Sequence, residues 1–387
     1  GAIYYKGSLN DILYTEFRNN SAIQGGALYI DKSDATFGKS RFYNNSATHE
    51  LRFDNSFDDM PTMGGAINIP GNGINVYDSK FINNTAYDKF NETGGLGGAI
   101  AVNGSDDTIK NSTFENNQAI NGGAFFLNGN KTRIMDSNFT NNRAIQGGVG
   151  YIDGSDSLVE NSKFNDNYAT HTDLRFPVTD LADIPTEGGA IHIIGENIKI
   201  TSSEFNDNVA DAKTASESST GGGAVYIEGI NATISNSTFD NNTALKGGAI
   251  YVNIEETKVI GCNFTDNSAF NYTADQGLGG AVYLDKADNT EIKESGFVNN
   301  VAGVNGGAVY WAAPFEGKIN GRIIDSVFEN NSAAANAGAV FWYGCNGTII
   351  GSNFTNNRAN GTYQDADGNS GNGGAIIWTG HDGSLKD

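Results

Sequence analysis

The feature that most constrains this chain is a two-part sequence repeat. The first part reads F-x-[ND]-N-x-A and starts at Phe17, Phe42, Phe81, Phe114, Phe139, Phe164, Phe205, Phe239, Phe264, Phe297, Phe328 and Phe354. The second part reads G-G-[AV], with second glycines at Gly26, Gly65, Gly98, Gly123, Gly148, Gly189, Gly223, Gly248, Gly280, Gly307, Gly338 and Gly374. Only Ala337, in place of a first glycine, departs from it. The shortest copies return every 25 residues, which predicts a solenoid of stacked repeats.

The residues around the two motifs predict short strands. Apolar residues stand two and four places after the second glycine, as at Leu28 and Ile30, and this alternation is typical of a strand with one buried face. Another apolar residue stands five places before each Phe, and no stretch has the apolar spacing of a helix. The chain is therefore expected to be all-β, a parallel β-helix of about twelve to thirteen coils with three strands per coil.

The repeated residues are expected to serve the fold. The invariant Asn suits a left-handed corner and a side-chain ladder between coils. The glycines suit positive φ or close backbone approach. A phosphate-binding loop would need a Lys or a helix start after the glycines, whereas here a strand follows.

Composition excludes several partners and places. The 24 Lys and Arg residues against 45 Asp and Glu residues give a net charge of −21, which repels nucleic acid and anionic membranes. The sequence contains no run of eighteen apolar residues and no basic-then-apolar stretch at its start, so we expect neither a membrane span nor a signal peptide within these residues. Both ends fall inside a coil, so we expect residues 1–387 to be one β-helix segment of a longer chain that supplies caps and anchor. Cys262 and Cys345 lie three coils apart, too far for a disulfide, and Cys262 is expected to be a small buried thiol.

The spacing between the motifs shows where loops leave the coils. From second glycine to next Phe the spacing is 16 in nine of eleven cases, and the exception with the most added residues lies around Ala313 to Asn320. From Phe to second glycine it varies from 9 to 25. The long insertions therefore leave one corner of the coil, near residues 48–63, 87–96, 170–187, 211–221, 270–278 and 360–372. We call this series of insertions the loop crest.

Two of these loops resemble each other and lie four coils apart. The first contains His49, Leu51, Arg52 and Phe53, and the second contains His171, Leu174, Arg175 and Phe176. Loops on a rigid scaffold often carry recognition, so these histidines, arginines and phenylalanines are candidate ligand-binding residues. The alternative is that the apolar residues pin each loop to the coils while the arginines pair with nearby aspartates.

Aromatic residues form a second candidate surface, which we call the aromatic stripe. It occupies the position three residues after the second glycine, where the strand alternation points side chains outward. Its members are Tyr29, Asn68, Ala101, Phe126, Tyr151, His192, Tyr226, Tyr251, Tyr283, Tyr310, Phe341 and Ile377. Exposed aromatics bind sugars or proteins, whereas rings stacked between coils stabilise the sheet alone. Trp311, Trp342 and Trp378 share the next, inward position, which indicates a locally wider core.

The sequence provides no catalytic constellation. The aromatic stripe has no carboxylate, and His192 near His171 lacks a nucleophile at repeating spacing, so no catalytic residue is assigned. Asp365, Asp367 and Asn369 begin like a calcium loop but lack its later Gly and Glu, so no cofactor is expected and Ca²⁺ stays an open alternative. The loop sequons at Asn91 and Asn271 are candidate glycosylation sites in a secreted chain.

The paired motifs G-G-A-[ILV] and F-x-x-N resemble the polymorphic outer-membrane protein repeats of chlamydial adhesins. The acidic, Asn-rich composition is similar to that of adhesin-like surface proteins of methanogenic archaea. The resemblance covers the whole chain and implies a right-handed parallel β-helix, an extracellular location on the cell surface and a role in attachment. It implies no catalytic residue.

The function expected from the sequence is a non-catalytic adhesin. It would bind a glycan or a surface protein of another cell through the loop crest and the aromatic stripe. The alternatives are a carbohydrate-active β-helix enzyme, namely a polysaccharide lyase or hydrolase, and a purely structural surface stalk.

Overall fold

A computed structural model describes residues 1–7, 11–31, 35–48, 60–87, 94–172, 174–176, 184–211, 220–253, 255–270, 273, 275–312 and 320–387. Backbone contacts divide the chain into two compact units, Gly1–Ile194 and Gly195–Asp387, which we call unit 1 and unit 2. All regular elements of the described residues are β-strands. None of the described residues forms a helix that is long and apolar enough to cross a membrane.

Each unit is a stack of coils with three main strands per coil and a short fourth one. We call them A strands (after the glycines), B strands (before the Phe), C strands (containing the Phe) and D strands (ending at or next to the invariant Ala). Within each unit, the A, B and C strands pair in parallel with the equivalent strand of the next coil, as Ile100 pairs with Phe125 in unit 1 and Tyr310 with Phe341 in unit 2. This confirms the predicted parallel β-helix.

The strand bounds in unit 1 follow the repeat. The A strands are Ile3–Tyr5, Leu28–Ile30, Ile67–Ile69, Ile100–Val102, Phe125–Asn128, Gly150–Asp153 and Ile191–Ile194. The B strands are Asp11–Leu13, Ala35–Gly38, Ile74–Tyr77, Thr108–Lys110, Arg133–Met135 and Leu158–Glu160. The C strands are Glu16–Arg18, Arg41–Tyr43, Lys80–Ile82, Thr113–Glu115, Asn138–Thr140 and Lys163–Asn165. The D strands are Ser21–Ala22, Ser46–Thr48, Thr85–Tyr87, Arg143–Ala144 and Tyr168–Ala169.

Unit 2 has the same series. The A strands are Val225–Glu228, Ile250–Asn253, Val282–Asp285, Val309–Ala312, Val340–Trp342 and Ile376–Trp378. The B strands are Lys199–Thr201, Thr233–Ser235, Lys258–Ile260, Glu291–Lys293, Arg322–Ile324, Thr348–Ile350 and Ser384–Lys386. The C strands are Glu204–Asn206, Thr238–Asp240, Asn263–Thr265, Gly296–Val298, Val327–Glu329 and Asn353–Thr355. The D strands are Val209–Ala210, Thr243–Ala244, Ser268–Ala269, Val301–Ala302, Ser332–Ala333 and Arg358–Ala359.

The repeated Phe side chains form the centre of the core in each unit. In unit 1 the rings of Phe42 and Phe81 stack with centroids 4.7 Å apart, and both are fully buried. In unit 2 the rings of Phe297 and Phe328 stack at the same distance. Because one coil repeats at the strand spacing of about 4.8 Å, identical rings fall into van der Waals contact along the stack.

The invariant Asn forms the predicted ladder but not the predicted corner. In unit 1, Asn142 Nδ2 donates to Asn167 Oδ1 at 3.1 Å and to the Phe114 carbonyl oxygen at 3.0 Å. The left-handed residue is the one before it, such as Asn141 with φ 54°, while Asn142 has a negative φ. The expectation that the invariant Asn is itself left-handed is therefore wrong. The corner needs two residues, one that turns the chain and a second whose amide replaces the interrupted backbone hydrogen bonds.

The two glycines have different roles. The first has positive φ, as at Gly25 with φ 61°. A Cβ on the second, at Gly26, would lie 2.1 Å from the carbonyl oxygen of Gly65 in the next coil. Both predicted reasons for glycine are thus present, one at each position. Ala337 occupies the first position with φ 56°, a backbone conformation that an alanine adopts at a cost.

The tryptophans are accommodated by a small residue opposite them. Trp311 and Trp342 are fully buried and stack with centroids 4.2 Å apart. A Cβ on Gly321 would lie 2.3 Å from Trp311 Cζ2, and one on Gly347 would lie 2.4 Å from Trp342 Cζ2. The core accommodates each indole because a glycine close to the start of a B strand leaves the space that a side chain would fill. The sequence predicts a locally wider core at these coils.

Both cysteines are free thiols in unit 2. Cys262 is buried in the slot that Ser occupies in most copies, and burial raises its pKa to about 11. This confirms the predicted buried thiol.

Candidate functional site

The second predicted recognition loop folds down onto unit 1. The Phe176 ring stacks on Tyr87 with centroids 4.5 Å apart, and Leu174 packs against the same apolar cluster. Arg175 donates from its guanidinium to the carbonyl oxygens of Asn83 and Asn116, and from its backbone N–H to Gln118 Oε1 at 2.7 Å. These contacts agree with the alternative that the apolar residues pin the loop. No described aspartate pairs with Arg175, because its guanidinium caps backbone carbonyls at a corner of the coils instead.

The two described histidines of unit 1, His171 and His192, are buried. His171 is 3% exposed and His192 is 2% exposed. His192 stacks on Tyr151, and its Nδ1 lies 3.5 Å from Glu187 Oε2, while burial lowers its pKa to about 3. Neither imidazole therefore meets a ligand in solvent. His49, Arg52, Phe53, Asn91 and Asn271 lie outside the described residues, so their predicted roles stay predictions.

The aromatic stripe forms the predicted stacks but is mostly covered. In unit 2 the rings of Tyr226, Tyr251, Tyr283, Tyr310 and Phe341 follow one another with centroids 4.8 to 5.3 Å apart. Tyr226 is 6%, Tyr283 7% and Phe341 8% exposed, so the prediction of an exposed stripe is wrong for them. The reason is that residues between the D strands and the glycines pack over the A strands. In unit 2 these covering residues are Leu278, Val304 and Ala335.

One part of the stripe in unit 2 remains open beneath a pocket of about 580 Å³, which we call the crest pocket. Its floor is formed by Tyr283, Tyr310, Phe341 and Ile377. Its remaining lining residues come from the positions before the glycines, from the loop crest and from the ends of the A strands. They are Lys246, Asp275, Leu278, Asn305, Asn336, Tyr343, Asp365, Ala366, Asp367, Asn369, Asn372 and Thr379.

Asn336 fixes the loop that forms one wall of the crest pocket. Its Nδ2 donates to Asp365 Oδ2 at 2.9 Å and to the Asn369 carbonyl oxygen at 3.2 Å, and its Oδ1 accepts from the Asn372 N–H. Asp365 Oδ1 accepts the N–H groups of Asp367 and Asn369 at 3.1 and 2.7 Å. Both carboxylate oxygens of Asp365 thus hold the loop together.

The predicted calcium ligands are therefore near one another but differ in role. Asp365 is occupied by hydrogen bonds, whereas Asp367 and Asn369 line the pocket. Across the described ranges, no group of three or more His, Cys, Asp or Glu side chains is arranged to hold a metal ion. The possibility of Ca²⁺ stays a prediction.

The polar groups of the crest pocket divide by depth. The Lys246 Nζ lies 5.7 Å from the centroid of Tyr283, and burial lowers its pKa. Burial raises the pKa of Tyr310 to about 12 and raises that of Tyr283 too, so both phenols keep their protons at neutral pH. Asp275 and Asp367 lie on the exposed rim. The pocket therefore has hydrogen-bond donors on its floor and carboxylates at its mouth.

Sequence reasoning found the floor and the acidic loop but missed Lys246, Asp275, Asn305 and Asn336. A signal for two of them exists in the repeat. The position two residues before the second glycine varies from coil to coil, yet it is Asn305, Asn336 and Asn372 in three successive copies. A run of one polar residue at an otherwise variable position indicates a shared role in those coils.

These observations define the class of the molecule as a parallel β-helix with an aromatic-floored surface pocket. The family described as the Chlamydia polymorphic membrane protein repeat matches residues 236–253, which form part of unit 2. Among solved structures, the chain is similar to the Streptococcus pneumoniae surface protein and adhesin PfbA. The two share 12% identity over 98% of this chain and 92% of that one, with a TM-score of 0.39. No curated protein matches the chain.

Proposed function

We propose that this chain is a non-catalytic, extracellular adhesin that attaches to a glycan or protein on another surface. The observation that carries the proposal is the crest pocket. It places aromatic edges, amides and carboxylates together in a concave site, on a scaffold whose repeated Phe, Asn and Gly positions serve the fold. The matched surface-protein repeat supports a location at the cell surface. The similarity to archaeal adhesin-like proteins stays a prediction.

The proposal is tested by measuring how many chain-coated beads are retained on arrays of printed ligands. Beads coated with the chain are washed over printed oligosaccharides and extracellular proteins, and retention is counted against beads coated with albumin. We expect retention on a subset of the printed glycans or proteins. Uniform retention at the albumin level would favour the structural stalk instead.

A polysaccharide hydrolase is the second candidate, because Asp275 and Asp367 lie in the same pocket. Glycoside hydrolysis needs two carboxyl groups, one of which must be able to donate a proton. Asp365 is unsuited to that role because both of its oxygens already accept N–H hydrogen bonds that hold the loop together. Incubation with a polysaccharide panel tests this candidate. New reducing ends that disappear in Asp367→Asn would replace the adhesin proposal by the enzyme.

A further inference from the structure

The stacked floor of the crest pocket limits how it binds a ligand. The Tyr283 ring lies between Tyr251 and Tyr310, with interplanar angles of 20° and 2°. The Tyr310 ring in turn lies against Phe341 at 8°. Because both faces of these rings contact other rings, only ring edges and phenol hydroxyls meet the pocket. A sugar therefore cannot stack flat on the faces of Tyr283 or Tyr310, although such stacking is the usual arrangement.

Asn305 is the most informative polar group on the floor. The residue is 95% buried, and its Oδ1 accepts the N–H of Asn336 at 3.1 Å. That bond fixes the amide with Nδ2 toward the pocket, and Nδ2 makes no hydrogen bond to any described residue. The amide nitrogen therefore offers two N–H donors to a ligand in the pocket.

Two other groups on the pocket floor can also donate hydrogen bonds to a ligand. The hydroxyl of Tyr283, a residue that is 93% buried, makes no hydrogen bond within the described part of the chain. Lys246 forms no ion pair with a described carboxylate and adds an ammonium beside the same ring. The floor therefore offers several hydrogen-bond donors, which match a ligand with several acceptor oxygens.

The carboxylates at the rim favour hydrogen-bond donors on the same ligand. Asp275 and Asp367 are exposed carboxylates, which only accept hydrogen bonds when charged. One ammonium against three carboxylates gives the pocket a net negative charge, and the chain as a whole carries −21. An anionic ligand is disfavoured by that field. Hydroxyl groups satisfy both layers, since each one accepts at the floor and donates at the rim.

We propose that the crest pocket binds a neutral sugar unit of a glycan edge-on, with Asn305 and Tyr283 donating to its oxygens and Asp275 and Asp367 accepting from its hydroxyls. The volume of about 580 Å³ is within the range of small-molecule pockets. This assignment rests on the proposed attachment function and names its ligand class and its contacts.

Sugar binding to the full chain is tested with soluble probes. The probes are the neutral disaccharides maltose, cellobiose, lactose and mannobiose, together with galacturonic acid, and the measurements are saturation-transfer NMR and calorimetry. We expect at least one neutral disaccharide to bind, and to bind at least tenfold more tightly than galacturonic acid. A single weak site is expected to have a dissociation constant of roughly 1 mM, so the disaccharides are tested up to tenfold above that concentration. A preference for the acidic sugar, or no binding of any disaccharide, would overturn the assignment.

The variants Asn305→Asp and Tyr283→Phe locate the site. Asn305→Asp keeps the oxygen that accepts from Asn336 but replaces both donors, and Tyr283→Phe removes only the hydroxyl. Each should weaken disaccharide binding at least fivefold. The matched control is Asn121→Asp, which alters the equivalent position of a unit 1 coil outside the pocket and should leave binding unchanged. Equal binding by all four proteins, with unchanged melting temperatures, would also overturn the assignment.

The attachment assay separates this inference from the proposed function. Retention on arrays that persists in Asn305→Asp would overturn the sugar site and leave the adhesin proposal standing. Disaccharide binding that depends on Asn305 without any retention of beads would uphold the site and reject attachment as its purpose.

Discussion

The residue at position 337 shows what one methyl group does at a left-handed corner. Every other described copy has glycine there, and Ala337 is fully buried with φ 56°. Its backbone N–H still donates to the Asn372 carbonyl oxygen at 2.9 Å, so the corner keeps its geometry. The methyl group is therefore tolerated at an energetic cost, since the left-handed conformation of an L-residue is unfavourable by roughly 1–2 kcal/mol.

Ala337→Gly should stabilise the protein. The removed strain exceeds the added entropy of the unfolded chain, which leaves a gain of about 0.5–1 kcal/mol in the free energy of unfolding. Urea denaturation followed by circular dichroism measures it. Ala339→Gly, at a buried neighbour with negative φ, is the control and should destabilise. A loss of stability in Ala337→Gly would mean that the methyl packing outweighs the strain.

Asp107 is a residue whose charge opposes folding. It is fully buried, its Oδ1 accepts the Ile74 N–H at 3.1 Å, and burial raises its pKa to about 7. The folded state therefore keeps a proton that the unfolded state loses near pH 4. Stability contributed by this group is present below pH 4 and is lost as the pH rises to about 7.

Asp107→Thr should stabilise the protein at pH 8 and change little at pH 4. Thr290 occupies the equivalent position of a unit 2 coil, where its hydroxyl accepts the same backbone hydrogen bond. We expect a gain on the order of 1–3 kcal/mol at pH 8. Denaturation at a series of pH values measures it, with the exposed Asp153→Asn as control. Parallel pH profiles for wild type and Asp107→Thr would contradict the prediction.

At the scale of the element, the side-chain ladders hold the corners. Asn142 donates to Asn167 and Phe114, and it accepts from both the backbone and the side chain of Asn117 at 3.0 Å. Asn142→Ala leaves these buried groups without partners, so we expect a loss of about 3 kcal/mol or more. Thermal and urea unfolding measure it. The exposed Asn138→Ala on the neighbouring strand should stay within about 0.5 kcal/mol. Similar small losses in both variants would show that water replaces the ladder.

The Trp and Gly positions of a coil are coupled by volume. Gly321→Thr places atoms where Trp311 lies, so we expect a loss of about 2 kcal/mol. The preceding coil has Leu284 and Thr290 at the same two positions. The double variant Trp311→Leu with Gly321→Thr should therefore recover most of the loss. A double-mutant cycle by urea denaturation measures the coupling, and additive effects would contradict it.

The strands and core residues that repeat from coil to coil could be predicted from the sequence, whereas the segments that pack over the A strands could not. Alternation correctly separated Leu284, which faces the core, from Tyr283, which does not. It could not indicate that Leu278, Val304 and Ala335 pack over that outer side. The alternation of apolar residues along a strand shows which side of the sheet a residue lies on. Whether its outer side is covered depends on the path of a segment whose length varies from coil to coil. The candidate site was predicted in part for the same reason. Its floor follows the repeat, whereas Asp275 and Asp367 come from loop-crest insertions, and Lys246 stands at a repeat position whose residue type varies from coil to coil.

At the scale of the whole molecule, the net charge of −21 affects the rate of encounter with a charged surface but not the contact with a neutral sugar. Cell surfaces are mostly anionic, so long-range repulsion slows the encounter, whereas a contact with a neutral sugar involves no charge pairing. Screening acts over about 30 Å at 0.01 M salt and about 10 Å at 0.1 M.

Added salt should therefore speed attachment without changing sugar affinity. Between 0.01 and 0.15 M NaCl we expect the association rate of chain-coated beads with sialylated surfaces to rise severalfold. The dissociation constant for a soluble neutral disaccharide should change less than twofold. Surface plasmon resonance and calorimetry give the two quantities, and desialylated surfaces are the control. An association rate that falls with salt would instead indicate a cationic contact surface on this acidic chain.

The ladder described at Asn142 also bears on how such a chain changes in evolution. Each amide contacts only the coil before and the coil after it, and every coil offers the same groups in return. Recombination that removes or duplicates a whole copy within a unit therefore rejoins compatible partners at the new junction. The number of coils can therefore change by whole copies while each ladder stays complete.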